Sequence, residues 1–312
     1  MQRKRNKFLA LSFVLLAVAC AGLYVISIED VKPDINQDLF KIDTDKIDLV
    51  IMQSLKGKTE LKFENSQWKV NDKWVADNSM INVLFATLKQ VEPRRPVALS
   101  LRDSVKMLLE QKGTRVSLSQ AGESKGEFYV GGNFTKTETW FMKVGDSQPY
   151  TMMIPGYRVY IGGILELDET GWRNKRIFEF NWRNFRSLSS TYFKDPKQNF
   201  TIEMKNGMFA VAEISSSDTT KVNNYLDAIS LLFASKFIAP GRPQMDSLIA
   251  AGPGVKIEIK DIANRSFTLD LFAPQRKNSE VYARLGDGQI VALEKKDAME
   301  IVRTRSFFIL KP

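Results

Sequence analysis

The chain has 312 residues, 44% of them hydrophobic and 26% charged, a composition typical of folded domains and long enough for two of them. The formal net charge is +9, but four basic residues lie within the first seven positions, which leaves little excess for a nucleic-acid surface. There is no histidine, and the one cysteine, Cys20, lies in an apolar run, which excludes histidine-dependent nucleophiles and His- or thiolate-ligated metal sites. We therefore expect no enzyme activity, no cofactor, no metal and no nucleic-acid partner.

The first 38 residues predict the location of the protein. Residues 1–7 form a basic head, and the uncharged run 8–28 has 21 residues, enough to cross a bilayer as one helix. Basic residues stay on the cytoplasmic side, so we predict a single-pass signal anchor in the inner membrane, with the bulk of the chain in the periplasm. Residues 29–38, with one proline and four acidic side chains, are predicted to form a stalk.

Two alternatives to an uncleaved anchor remain open. Residues 17–20 (Ala-Val-Ala-Cys) resemble a lipobox, which would make the protein a lipoprotein held through Cys20. Cleavage after an Ala-x-Ala site would instead release the chain from the membrane.

The remaining chain carries one order of landmarks twice, over 39–178 and 179–312. A strand at Trp68 matches one at Phe209, and after each helix cap the apolar residues recur at helical spacing. Further pairs keep the same order: aspartate caps at Asp77 and Asp218, Pro-x-Arg-Pro helix ends at 93–96 and 240–243, and Gly-Asp-x-Gln turns at 145–148 and 286–289. This indicates an internal duplication; the alternative is two unrelated domains whose turn residues coincide.

The pattern of elements predicts an α+β fold. Strand-like runs joined by hairpin turns outnumber the helices, which argues against a parallel sheet. We expect two tandem repeats after the transmembrane helix, each a mostly antiparallel sheet with one long and one short helix.

Several segments carry residues that other proteins use for chemistry. Residues 56–59 (Lys-Gly-Lys-Thr) end like a P-loop, but Met52 stands where its first glycine belongs, so a turn between strands is predicted. Three acidic residues, Glu166, Asp168 and Glu169, predict an exposed loop, since nothing sets them at the separation of a glycosidase pair.

Two segments predict a partner surface. Residues 149–160 place Met152, Met153 and Tyr157 near two prolines, a composition that adapts to a partner, although an ordinary core hairpin would look similar. Trp-Arg-Asn triplets begin at Trp172 and Trp182; their indoles suit a sugar platform or the seam between two domains. These five residues form the candidate partner surface.

The landmarks together resemble a bacterial family labelled a domain of unknown function. The resemblance rests on the basic head and single span, the Trp68 strand before Asp77, the Pro-x-Arg-Pro helix end, and the strand 126–130 before the turn at 145–146. It covers the chain after Leu39 and departs at 110–113, where Glu-Gln-Lys-Gly replaces a common Tyr-Gly-Leu.

This resemblance implies an anchored, duplicated extracytoplasmic protein associated with ABC-type transporters of the gliding-motility auxiliary class. The expected function is a non-enzymatic accessory subunit of an envelope transport complex, with a transporter permease or auxiliary subunit as partner. The alternative is an envelope ligand-binding protein that recognises a glycan or peptide between the two repeats. The resemblance assigns no functional residue.

Overall fold

The computed structural model describes residues 13–18, 36–178, 182–239, 241, 243–274 and 279–310. Residues 13–18 are helical, and the other residues of the predicted anchor 8–28 lie outside the described residues. Among the residues described, no helix is long and apolar enough to cross a membrane. The chain divides into two compact units between Trp172 and Arg173, called unit 1 and unit 2 below.

Unit 1 is built on a nine-stranded antiparallel sheet with the strand order β4-β3-β2-β1-β6-β7-β8-β9-β5. Its strands are β1 (Leu49–Ser54), β2 (Gly57–Glu64), β3 (Gln67–Val70), β4 (Trp74–Val75), β5 (Glu92–Pro96), β6 (Thr114–Gln120), β7 (Glu123–Gly132), β8 (Thr139–Lys143) and β9 (Tyr150–Met153). Its helices are α1 (Asn78–Gln90), α2 (Leu99–Lys112), α3 (Gly162–Leu165) and α4 (Glu169–Trp172).

Helix α1 forms where the sequence predicts it. The Asp77 side chain accepts the backbone N–H groups of Ser79 and Met80, which have no partner inside the helix. The helix buries Ile81, Leu84 and Leu88 against the main core of the unit. The Pro-x-Arg-Pro segment that ends it is itself β5, at the edge of the sheet, where a strand tolerates prolines.

Helix α2 packs on a second, smaller core. Phe128, Val130 and Phe141 belong to the main core, whereas their neighbours Tyr129 and Trp140 pack with α2. Successive side chains of a strand point to opposite faces, so α1 and α2 cover opposite faces of the sheet.

Unit 2 is built on an eight-stranded antiparallel sheet with the strand order β12-β11-β10-β14-β15-β16-β17-β13. Its strands are β10 (Phe185–Tyr192), β11 (Phe200–Lys205), β12 (Met208–Val211), β13 (Lys236–Ile238), β14 (Val255–Asp261), β15 (Ser266–Leu271), β16 (Glu280–Leu285) and β17 (Ile290–Glu294). Its helices are α5 (Thr219–Ser230), α6 (Pro243–Ala250) and α7 (Lys295–Ile301), with 3-10 turns at Trp182–Asn184, Pro196–Gln198 and Arg305–Phe308.

Helix α5 has the same features as α1, an aspartate cap and a buried apolar stripe. Asp218 accepts the backbone N–H of Lys221, and the helix buries an apolar stripe that includes Tyr225. The Tyr225 hydroxyl donates to the backbone carbonyl of Ile301 at 3.1 Å and lies 3.2 Å from the Ser190 hydroxyl. The predicted α+β class with mostly antiparallel sheets is confirmed. The prediction of one long and one short helix in each repeat is wrong for unit 1, because α2 has 14 residues and α1 has 13.

Candidate functional site

An exposed loop between β9 and α3, residues 154–161, is the clearest candidate surface in unit 1. The Tyr157 N–H donates to the Ile154 carbonyl at 3.0 Å across Pro155 and Gly156, and Gly156 has φ of 80°. This is a type II turn, which favours proline and glycine at those two positions. The turn leaves Tyr157 65% exposed and Val159 56% exposed. We call residues 154–161 the Tyr157 loop.

The other residues of the predicted partner surface lie elsewhere. Met152 is only 5% exposed and packs in the main core, and Met153 at the end of β9 is partly buried. Trp172 is fully buried in the same core, and its carbonyl accepts the N–H of Asp77. Trp182 begins a 3-10 turn, and its side chain lies outside the described residues. Buried Met152 and Trp172 offer a partner no side-chain surface, so the exposed part of the prediction is Tyr157.

Tyr160 fastens the end of the Tyr157 loop to the sheet. Its hydroxyl donates to the Glu166 carboxylate, and the Lys136 ammonium lies 3.0 Å from the same hydroxyl and 2.8 Å from Glu166. Burial and this carboxylate together raise the pKa of Tyr160, which keeps the phenol protonated.

The Tyr160 ring lies over two glycines. A Cβ atom on Gly132 would lie 2.5 Å from the Glu138 carbonyl oxygen and 2.7 Å from the Tyr160 hydroxyl oxygen. A Cβ on Gly162 would lie 2.6 Å from that same hydroxyl oxygen. Glycine at both positions is therefore what lets the ring close over the end of β7.

The acidic residues of the predicted exposed loop each hold a different group. Glu166 binds Lys136, whereas Glu169 accepts hydrogen bonds from Asn71 Nδ2 at 2.7 Å and Trp74 Nε1 at 2.8 Å. Asp168 accepts the Thr170 hydroxyl at 2.7 Å. That hydrogen bond, helped by backbone N–H groups, lowers the pKa of Asp168 against the effect of burial.

These carboxylates line a cavity of about 230 Å³ that also contains Lys56 and Lys58. Their contacts fasten the segment before Trp172 to the neighbouring hairpins. Over the described ranges, no group of three or more His, Cys, Asp or Glu side chains is arranged to hold a metal ion.

A second opening in unit 1, an aromatic groove of about 500 Å³, lies between α1 and the β2–β3 hairpin. Phe63 and Trp68 face each other across the hairpin with ring centroids 5.5 Å apart, and Phe85 of α1 is 5.4 Å from Trp68. Phe63 is 45% exposed. The sequence analysis used Trp68 only as a structural landmark. The signal it missed was two aromatic residues, Phe63 and Trp68, at directly opposed positions of one hairpin.

The fold and these surfaces define an α+β protein of two antiparallel-sheet units, with the Tyr157 loop and the aromatic groove as candidate surfaces in the described part of unit 1. Residues 68–248, more than half of the chain, match the family described as Domain of unknown function (DUF4340), and the chain belongs to that family. Neither a curated protein nor a solved structure matches the chain.

Proposed function

We propose that the protein is a non-enzymatic accessory subunit of an ABC-type envelope transport complex, anchored in the inner membrane with its two units outside the cytoplasm. In this proposal the Tyr157 loop docks on a permease or auxiliary subunit of the transporter. The observation that carries it is the loop itself: a rigid turn and a fastened Tyr160 hold an exposed tyrosine and valine beyond the end of β9. Exposed aromatic residues on rigid supports are favoured at protein interfaces.

We further propose that the two units are tandem repeats. The strand orders of the two sheets correspond position by position when β1, β2, β3 and β6 to β9 are matched with β10, β11, β12 and β14 to β17, and β5 with β13. Each unit also places an aspartate-capped helix after its first three matched strands. Only β4 has no counterpart in this matching.

The Tyr157 loop is a departure from that correspondence. In unit 2, β17 ends at Glu294 and α7 begins at Lys295, whereas eight residues separate β9 from α3 in unit 1. A segment that a duplicated scaffold has in one unit and lacks in the other is not needed for the shared packing. This favours a role in binding for the loop.

The membrane part of the proposal rests on the sequence. The basic head 1–7 and the uncharged run 8–28 favour an anchor that is not removed. The mass of the protein extracted from membranes distinguishes the cases: the full-length mass supports the anchor, and a lipid-modified Cys20 would replace it with a lipoprotein.

Co-purification tests the docking surface. The full chain is extracted in mild detergent as wild type, as a Tyr157→Glu and Val159→Glu double variant, and as a Leu55→Glu control. Leu55 is 79% exposed at the β1–β2 turn, so the control adds a negative charge to an exposed apolar site outside the loop. We expect an ABC-type permease or auxiliary subunit with the wild type and the control, and its loss with the double variant. Equal recovery with all three proteins would refute docking through this loop.

A further inference from the structure

The aromatic groove exists because part of the core face of the sheet is left uncovered. Phe63 and Trp68 share a strand face with Leu61 and Val70, which are fully buried in the main core. Side chains two residues apart on a strand point to the same side. The aromatic pair Phe63 and Trp68 therefore continues the core past the edge of α1, where Phe63 remains half-exposed.

The three rings form one continuous platform. Adjacent centroids are 5.5 and 5.4 Å apart and the ring planes are tilted by 50° and 52°, so each ring touches the next and together they form a curved surface. Proline-rich peptides dock into grooves by placing proline rings between aromatic side chains. Rings already in contact leave no such slot, so the groove favours a ligand whose apolar face stacks on one of these rings.

The rim of the groove supplies polar groups of both signs. It carries two aspartates and two lysines, Asp45, Asp48, Lys46 and Lys89, whose formal charges cancel. Lys89 pairs with Asp45, and their side chains are 52% and 71% exposed, so water screens the pair and both groups can turn toward a ligand. Asp48 is held in place because its carboxylate accepts the N–H of Ala121 at 2.8 Å.

We propose that this groove binds a neutral saccharide. A hexopyranose has an apolar C–H face, which suits the electron-rich faces of Trp68 and Phe63, and hydroxyl groups, which both donate to carboxylates and accept from ammonium groups. The balanced rim favours an uncharged sugar, and a volume of about 500 Å³ is in the range of small-molecule sites. The site lies within unit 1 and does not depend on the proposed transporter partner.

Unit 2 has an opening at the matching helix and hairpin, which provides a contrast. Its volume is about 540 Å³, and its lining includes Met208 and Phe209 of β12 and Leu226 of α5. One aromatic ring, Phe209, lines this opening in place of three, so within the described residues the three-ring platform belongs to unit 1.

Saturation-transfer NMR on the detergent-solubilised full chain tests the proposal. The probes are trisaccharides of glucose and of N-acetylglucosamine, with an anionic trigalacturonate and a proline-rich peptide for comparison. We expect transfer to the C–H protons of at least one neutral trisaccharide, and weaker or absent transfer to trigalacturonate and the peptide. No transfer to either neutral probe, or preferential binding of the peptide, would overturn the proposal.

Variants then locate the binding. Phe63→Ala removes the half-exposed ring of the platform. It is expected to raise the dissociation constant of the bound trisaccharide about two- to tenfold. Asp45→Asn, at an exposed rim position, keeps the hydrogen-bonding shape and provides a second readout if Phe63→Ala melts below the wild type. Phe134→Ala removes a fully exposed phenylalanine elsewhere in unit 1 and is the matched control. Unchanged affinity in both Phe63→Ala and Asp45→Asn would place the sugar outside this groove and overturn the assignment.

Discussion

Replacing Gly132 by alanine should destabilise unit 1 although the change adds a single methyl group. That methyl would lie 2.5 Å from the Glu138 carbonyl oxygen, a backbone atom that cannot rotate away, and 2.7 Å from the Tyr160 hydroxyl oxygen. Overpacking of this kind costs about 1–3 kcal/mol. Displacing Tyr160 would also weaken its hydrogen bond to Glu166, worth about 1 kcal/mol. We therefore expect a loss of roughly 2–4 kcal/mol in the free energy of unfolding.

Urea and thermal unfolding of the purified chain measure this loss. For a unit of this size the loss corresponds to a fall in Tm of about 4–16 °C. Gly163→Ala is the matched control: its methyl would lie 3.7 Å from Tyr160 Cδ1, an ordinary contact, and position 163 is in α3, where alanine is favoured over glycine. The free energy of unfolding of the control should lie within about 0.5 kcal/mol of the wild-type value or slightly above that value. If Gly132→Ala and Gly163→Ala unfolded alike, the close packing of Tyr160 on β7 would be refuted.

Two further predictions concern unit 2. Tyr225→Phe leaves the buried Ser190 hydroxyl and the Ile301 carbonyl without their phenol partner, so the free energy of unfolding should fall by about 1–2 kcal/mol; an unchanged urea midpoint would contradict this. For Asp261, burial alone would raise the pKa, but hydrogen bonds from the Arg265 side chain and from backbone N–H groups outweigh it and lower the pKa. A carboxyl whose pKa is lowered by folding stabilises the protein at a pH above its pKa in the unfolded chain, about 4. This stabilisation is lost as the pH falls through its pKa in the folded protein. The Tm difference between the wild type and Asp261→Asn should therefore be largest near neutral pH and shrink toward pH 3; a constant difference would refute the ionised carboxylate as its source.

Local sequence rules predicted one long helix in each unit, α1 and α5, but not the length of α2. Asp77 and Asp218 cap α1 and α5 because a carboxylate can satisfy N–H groups that the first turn leaves free. The apolar stripe after each cap is the buried face. The same rules did not predict that the Pro-x-Arg-Pro segment after α1 forms an edge strand, because pairing with β9 depends on a contact nearly sixty residues away.

The candidate surface was harder to predict than the fold. Met152 and Tyr157 have similar local composition around them, yet one lies in a core strand and the other beyond a turn. Periodicity cannot separate them, because the segment that contains both is too short for a helical or alternating pattern to be distinguished. The constraint on Gly132 comes in part from Tyr160, a residue far along the chain. In the aromatic groove, the Phe63–Trp68 pair is local to one hairpin, but Phe85 meets Trp68 only after α1 packs on the sheet.

Site-specific photo-crosslinking from the Tyr157 loop tests the proposed accessory role most directly. A photoreactive amino acid replaces Tyr157 in the full chain inside living cells, and the same amino acid at Leu55 is the control; both side chains are mainly exposed. After irradiation, crosslinked partners are identified by mass spectrometry of the membrane fraction. The proposal predicts an adduct with an ABC-type permease or auxiliary subunit from position 157 and none from position 55. A position 157 that yields no adduct, or yields the same adducts as position 55, would contradict it.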